Sequence, residues 1–419
     1  MFAIVDGNSF YASCESVFRP DLRGCPICVV SNRDGNIVAR SKEAKALGIP
    51  DLEPYFKVEH LLKKHNVHVF SSNYALYGDL SNKMVSTLRE YAADVEVYSI
   101  DEVFLTPVEH LFGNDLVSYG RLLKDVVWRE VRIPVGVGIA STKTLSKLAN
   151  RAAKKIPKLS GVCVVQTEAQ REWLLKHAAV KDIWGIGSRI SARLNALGIY
   201  SGWEFSKQNP KYIRRHFGVT LERTLNELNG VSCLELEDAP PPKKQIFCTR
   251  SFGEKTAVLE DILQSTSHYA ARAAEKLRLQ NSKSGAIYVF LQTSPFGSDL
   301  VFFSVTVQFP YPTDDSRLIV NGAISAIKAI FKPGHLYSKS GVGLVDITSN
   351  AHRQVDMFTP GQTARDDTLM GVIDKVNQKW GRGTLFLAAE GVHRSLAMKQ
   401  NRLSPRYTTS WSDIPIVKC

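Results

Sequence analysis

The sequence predicts an α+β protein of several domains, and three observations carry that prediction. The chain has 419 residues, and one hydrophobic core usually organises about 100–200. Segments of strand period and segments of helical period are interleaved along it rather than segregated. A proline-rich basic stretch at residues 239–244, Ala239-Pro-Pro-Pro-Lys-Lys244, reads as a stiff linker between two such halves.

In order, the first element is an apolar strand over 2–6, Phe2-Ala-Ile-Val-Asp6, followed by a helix at about 9–18. The stretch Val95–Leu105 alternates as a β-segment and carries a hairpin near residue 101. A helix over 113–131 and a strand over 134–139 follow. This βα…ββαβ order suits an antiparallel, ferredoxin-like sheet. Residues 141–160 form a helix, and residues 182–199 have the cadence of two helices joined by a glycine turn. Beyond the linker, strands at 286–291 and 301–307 alternate with helices at 262–279 and 316–331, a second α+β unit.

Composition narrows the class. Hydrophobic residues make up 44% and charged residues 22%, which excludes disordered and fibrous chains. No apolar run approaches the roughly 18 residues of a membrane helix, and Met1–Phe10 has no signal-peptide pattern, so a cytoplasmic protein without membrane contact is expected. Seven cysteines are scattered; Cys25-Pro-Ile-Cys28 has metal-like spacing, but no second pair completes a site. The formal charge of +12 favours a polyanionic partner.

The basic residues are patterned. Lys143, Lys147, Arg151, Lys154 and Lys158 recur every three or four positions, with no acid between 141 and 160. A solvated helix normally mixes signs, so this stripe reads as a phosphate-contacting face. The turn Gly185-Ile-Gly187, with Arg189 in the helix it opens, would present backbone N–H groups to a nucleic-acid phosphate without reading bases.

Against this background stand Asp6, at the end of the first strand, and Asp101-Glu102 in the hairpin. Neighbouring strand residues point to opposite faces, so an exposed hairpin with acids in water is one reading of Asp101-Glu102. A tight hairpin beside the first strand is the other, and it would gather three carboxylates. Such a cluster repels itself unless divalent cations neutralise it, and two Mg²⁺ ions would support in-line phosphoryl transfer. The ferredoxin-like order and the adjacent lysine helix favour this second reading.

These residues carry a resemblance. Asp6-Gly-Asn-Ser-Phe-Tyr-Ala-Ser-Cys-Glu15, Phe18-Arg-Pro-Asp-Leu22, Tyr98-Ser-Ile-Asp-Glu102, Val135-Gly-Val-Gly-Ile139 and Trp184-Gly-Ile-Gly187 resemble the Y-family translesion DNA polymerases. Ser71-Ser-Asn-Tyr74 and Leu403-Ser-Pro-Arg-Tyr-Thr-Thr409 resemble the UmuC subgroup, the catalytic subunit of bacterial DNA polymerase V and its mobile-element relatives.

The resemblance implies a right-hand polymerase. Its palm would be 1–25 and 75–165, its small fingers 26–74, and its helical thumb with a helix-hairpin-helix 166–238. An α+β little finger would cover 245–347 and a partner-binding region 348–419. Asp6, Asp101 and Glu102, with the main chain of Gly7, would hold two Mg²⁺ ions, for which Mn²⁺ would substitute. Tyr11 would be the steric gate against a ribose 2′-hydroxyl. Lys45 and Lys154 would bind the dNTP triphosphate, while Gly185, Gly187, Arg189, Lys143 and Lys147 would meet DNA phosphates. Gln354-Val355-Asp356-Met357-Phe358 resembles a β sliding clamp motif, and a processed UmuD-type dimer and a RecA filament would be further partners of the C-terminal region.

Two departures from the family pattern stand out: Gly7 replaces a bulkier residue, and Asp51-Leu-Glu53 replaces a small glycine-containing turn. The activity implied is error-tolerant, template-directed addition of dNTP to a primer 3′-OH, within an SOS response to DNA damage. The rival reading is a non-catalytic DNA-binding repair scaffold with a vestigial metal site.

Overall fold

A computed structural model of the chain describes residues 1–31, 34–108, 115–237, 241–295, 300–350, 361–392, 396 and 400–416. The proposed clamp motif, Gln354–Phe358, lies outside the described residues. The chain divides into one unit comprising 1–240 and 400–419 and another comprising 241–399.

The centre of the first unit is a five-stranded sheet. Its strands are β1 (Phe2–Gly7), β5 (Ala92–Val97), β6 (Glu102–Pro107), β7 (Val135–Ala140) and β8 (Val162–Val164), in the order β5-β6-β1-β7-β8. The first four alternate antiparallel, the arrangement expected of a ferredoxin-like sheet, and β8 joins parallel to β7. The predicted strand 134–139 is displaced by one residue, and the predicted helix 113–131 is described as α5 (Leu116–Val131).

Strand β7 explains how both faces of this sheet are used. Its large residues Val137 and Ile139 lie toward Gly120 of α5, while Gly136 and Gly138 face the helix α6 (Lys143–Lys155). A Cβ on Gly138 would fall 2.2 Å from the carbonyl oxygen of Ser146 and 2.3 Å from the Asn150 nitrogen. The period of two thus separates a filled face from a bare one, and only the bare one admits a helix backbone at contact distance.

Between the helix α1 (Phe10–Val17) and the helix α4 (Tyr74–Arg89) the chain makes a small separate layer. It contains β2 (Ile27–Val30), β3 (Ile37–Arg40), α2 (Lys42–Ala46), α3 (Tyr55–Lys64) and β4 (His68–Ser71), with sheet order β3-β2-β4. Its own core is built from Cys28, Val30, Ile37, Ala44, Ile49, Val58 and Leu62. Cys28 is therefore a packing residue, and among the described residues no three His, Cys, Asp or Glu side chains converge on one metal position as they stand.

Five short helices follow β8: α7 (Glu168–Lys176), α8 (Ser188–Ala196), α9 (Gly202–Ser206), α10 (Pro210–Phe217) and α11 (Val219–Leu228). Leu174, Leu194, Phe205, Ile213 and Leu225 close their core against Leu145 and Leu148 of α6. One helix thereby serves both the sheet and the helical layer.

The second unit is a four-stranded antiparallel sheet of β9 (Ile246–Thr256), β10 (Ser282–Thr293), β11 (Phe302–Thr313) and β12 (Tyr337–Ser349), in the order β11-β10-β12-β9. The helices α12 (Leu259–Leu279) and α13 (Ser316–Ile330) contribute Ile262, Ala270, Leu277, Ile319 and Ile327 to its core.

The region 348–419, expected as one C-terminal domain, is divided. Helix α14 (Ala364–Trp380) packs in the second unit, where Asp374 forks onto Arg278 and the amide of Ser316 meets the sulfur of Met370. Residues 400–416 belong to the first unit, because their polar groups find partners there, including a β-bridge from Leu403 to Ser71. Among the described residues, no helix is long and apolar enough to cross a membrane.

Candidate active site

Register brings the predicted acids together. Asp6 and Glu102 are direct cross-strand partners, and Asp6 faces Gly136 on its other side. The hairpin closes at Tyr98–Asp101: the amides of Tyr98 and Ser99 both donate to the Glu102 carbonyl at 3.1 Å. The Ser99 hydroxyl donates to Asp101 Oδ1 at 2.7 Å and accepts from the Glu102 amide at 3.0 Å. The Gly7 amide donates to the Asp101 carbonyl at 2.8 Å, which pins the hairpin to the end of β1. Glycine fits at position 7 because a Cβ there would fall 2.7 Å from the Phe10 ring.

Two lysines of α6 reach these acids. Lys154 Nζ lies 2.6 Å from Asp6 Oδ1, and Lys147 Nζ lies 2.9 Å from Glu102 Oε1. Lys154 runs over Gly136, where a Cβ would sit 3.0 Å from its Cε. Burial pushes the Asp6 carboxyl up to about 6, against the pull of Lys154 and with help from the facing Glu102 and Asp101. A hard divalent cation suits this set, since burial disfavours the bare charge of Asp6 and a cation would stabilise it. In this arrangement the lysine ammonium groups supply the positive charge, and Asp6 and Glu102 turn toward them rather than toward a common centre.

Asp6, Gly7 and Asp101 open into a pocket of about 390 Å³, also lined by Ser9, Phe10, Tyr11, Arg40, Lys45, Asp51 and Lys154. Tyr11 is packed between two rings of α4: it stacks on Tyr77 at 4.6 Å and meets Tyr74 edge-on at 5.9 Å. Lys45 Nζ donates to Ser9 Oγ at 2.8 Å. Ser9 holds a left-handed backbone (φ 49°) and lends no side-chain cap to α1, so its hydroxyl serves the pocket. Burial, followed by Arg40 and Lys154, lowers the Lys45 pKa.

Arg40 escaped the sequence reading, because one arginine at a strand end has no periodic signal. It is largely buried, donates from Nη1 to the Ile49 carbonyl at 2.5 Å and pairs through Nη2 with Asp51 at 3.0 Å. With Lys45 and Lys154 it gives the pocket three cations. Leu52, in the departure noted above, is exposed and held at φ 57°.

The predicted phosphate-binding stripe is corrected in part. Lys143 is buried, ion-paired to Glu96, bonded to the Glu235 carbonyl at 2.6 Å and set over the Phe104 ring. It clips the segment after α11 to the sheet and meets no solvent-borne phosphate. Lys147 is committed to Glu102, over the rings of Tyr98 and Trp184. Arg151 and Lys155 converge on Asp182. Helical period placed these cations on a common face, but their acidic partners come from distant segments. Gly185, Gly187 and Arg189 are exposed at the start of α8, and Gly185 needs its φ of 88° for the turn.

Known proteins resemble this chain over its whole length. The impB/mucB/samB family matches residues 5–151, its C-terminal domain residues 243–357, and a domain of unknown function residues 367–417. Protein UmuC of Salmonella typhimurium is 47% identical over 100% of both chains. Protein MucB of Escherichia coli is 41% identical over 99% of both. A Y-family DNA polymerase chimera, Dbh-Dpo4(243-245)-Dbh, shares the fold with a TM-score of 0.66 at 24% identity, over 84% of this chain and 100% of the other.

The fold is that of the Y-family DNA polymerases, and the full-length relatives are of the UmuC type. Within that class, the chain belongs to the impB/mucB/samB family.

Proposed function

We propose that the carboxylate-ended sheet and the three-cation pocket divide one reaction between them. The enzyme is a DNA-directed DNA polymerase for translesion synthesis, adding dNTP to a primer 3′-OH. Asp6, Asp101 and Glu102, with the Gly7 carbonyl, would hold two divalent cations, Mg²⁺ or in substitution Mn²⁺. When bound, these cations supply Lewis acidity to the primer hydroxyl and the α-phosphate.

The chain's own side chains do the rest. Lys154 lines the pocket beside Asp6, so its ammonium can pass from the carboxylate to a triphosphate oxygen. Lys45 and Arg40 would complete the grip on the triphosphate, Arg40 with a planar fork that a lysine lacks. Tyr11, clamped between Tyr74 and Tyr77, would stack against the deoxyribose and exclude a 2′-hydroxyl by shape. Gly185, Gly187 and Arg189 would hold the duplex by its backbone. A UmuD-type dimer, a RecA filament and, through residues 354–358, the sliding clamp would be its partners in an SOS response in the cytoplasm.

The observation that carries this reading is the cross-strand pairing of Asp6 with Glu102, with Asp6 and Asp101 lining a pocket that Arg40, Lys45 and Lys154 make cationic. The test is primer extension across an abasic template with and without magnesium. Magnesium-dependent bypass by the intact chain, lost in Asp101→Ala, is the expected result. Primer–template binding without extension, indifferent to magnesium even with accessory proteins added, would favour the scaffold reading instead.

A further inference from the structure

The last described residues of the chain lie along the elements that hold Tyr11. Leu403 bridges to Ser71 in parallel register, and the Ser71 amide donates to the Arg402 carbonyl at 2.9 Å. Arg402 in turn reaches the Tyr55 hydroxyl at 2.9 Å, and the Asn401 amide reaches Asp34 Oδ2 at 3.0 Å. Tyr407 stacks on Phe18 at 4.8 Å, and the Thr408 hydroxyl donates to Asp79 at 2.6 Å. One short segment thus ties the small three-stranded layer to α1 and α4 of the main sheet.

Two of its contacts lead directly to the gate. Asn73 is buried at the N-cap of α4, where its Oδ1 accepts from the Leu76 amide, while its Nδ2 donates to Ser404 Oγ at 3.0 Å. The first turn of α4 carries Tyr74 and Tyr77, the two rings that sandwich Tyr11. Tyr77 is fully buried, and its hydroxyl donates to the buried Glu15 carboxylate at 2.5 Å. Glu15 also lies beside the Ser404 hydroxyl. A buried path therefore runs from Ser404 through Asn73 and Glu15 to Tyr77 and on to Tyr11.

We propose that residues 400–409 are a built-in strap that positions the steric gate, so that the discrimination between deoxyribo- and ribonucleotides depends on the chain's own C-terminal segment. Ser404 and Tyr407 are positioning residues: neither lines the pocket, and each acts through Tyr77 or Phe18. The proposal rests on the polymerase reading above and on Tyr11 as the gate. A displacement of about 1 Å at a positioned group is enough to change a rate strongly. A partner that draws this segment away would loosen sugar selection without touching the pocket.

The experiment uses the full-length chain and its Ser404→Ala, Tyr407→Ala, Tyr407→Phe, Tyr11→Ala and Tyr11→Ala/Tyr407→Ala variants, with single dNTP and rNTP incorporation and amide hydrogen exchange as readouts. Tyr11→Ala reports on the gate: an unchanged sugar ratio there removes Tyr11 from that role and leaves the strap nothing to position. Given a responsive gate, Ser404→Ala and Tyr407→Ala should shift the rNTP-to-dNTP ratio about 5- to 20-fold toward ribonucleotides, with primer–template affinity unchanged. Tyr407→Phe should restore the parent ratio, and the double variant should match Tyr11→Ala alone. Exchange at the amides of residues 71–77 should quicken in Tyr407→Ala more than exchange in β1, β6 and β7. An unaltered ratio in both single variants, or uniform quickening across the first unit, would overturn the proposal. Should Tyr407→Ala fail to fold, the milder Ser404→Ala decides the matter through the same ratio.

Discussion

The two walls of the pocket are built differently. Asp6, Tyr11 and Lys154 stand on strands and helices packed on the five-stranded sheet, and Asp101 on the hairpin pinned to it, among residues such as Ala3, Val5, Val103 and Val137 that have no exposure at all. Arg40, Lys45 and Asp51 stand on a four-residue strand, a five-residue helix and the loop after it, over a core of seven buried residues. The reacting end of a substrate would meet the wall that is hardest to move. Its phosphates and base would meet the wall that gives. Tolerance of damaged templates is compatible with that division, since the chemistry stays fixed while the grip adapts.

The sharpest way to break the comparison is on the stiff side. Replacing Asp101 and Glu102 together with Ala should lower single-nucleotide incorporation by at least about 10³-fold, with binding of primer–template within several-fold. Collapse of DNA binding would mean that the pair is structural.

On the yielding side effects should be graded. Arg40→Met removes one charge-assisted contact and should raise the KM for dNTP about 10- to 100-fold with a smaller change in kcat. Asp51→Asn removes the anion that Arg40 holds in the absence of substrate, a half-exposed pair, and should lower that KM about 2- to 5-fold. Steady-state kinetics of both variants would show whether the two cancel in combination.

Behind the stiff wall, burial raises the Glu15 carboxyl from 4.5 to about 7, against the pull of the Tyr77 hydroxyl and the nearby Ser404. The folded chain therefore keeps a proton that the unfolded chain gives up. Stability from this group is complete below pH 4.5 and is lost as pH rises through 7. Glu15→Gln keeps the acceptor for Tyr77 but cannot titrate. In thermal melts at a series of pH values, the variant should gain on the parent by about 3 kcal/mol between pH 4.5 and 7.5.

The smallest effect is at Leu52. Its left-handed backbone strains a branched residue whose side chain is 67% exposed and packs little. Leu52→Gly should stabilise the chain by about 0.5–1 kcal/mol, the strain relieved less the added freedom of the unfolded glycine, as measured by urea unfolding.

Much of this was legible in the chain itself. The strand period of Phe2–Asp6 and Val95–Leu105 foretold the sheet, and the βα…ββαβ order foretold which strand ends would meet. Asp6 and Glu102 became cross-strand partners because each ends or begins a strand whose register is set by buried neighbours. The lysines of α6 were located by their period but misread in role. Lys143 owes its burial to Glu96, 47 positions away, and no local pattern announces such a partner. Arg40, and the structural role of the 403–409 motif, escaped for the same reason: their significance lies in Ile49, Asp51, Ser71 and Asn73, which only the folded chain brings near.

Gly138 has an effect out of proportion to its size. Because a single methyl there would collide with the backbone of α6 at Ser146 and Asn150, any side chain at that position would push the helix away from the sheet. Lys147 and Lys154 ride on the same helix, so both would withdraw from their carboxylates in one motion rather than separately. The electrostatic balance of the centre thus depends on a missing atom.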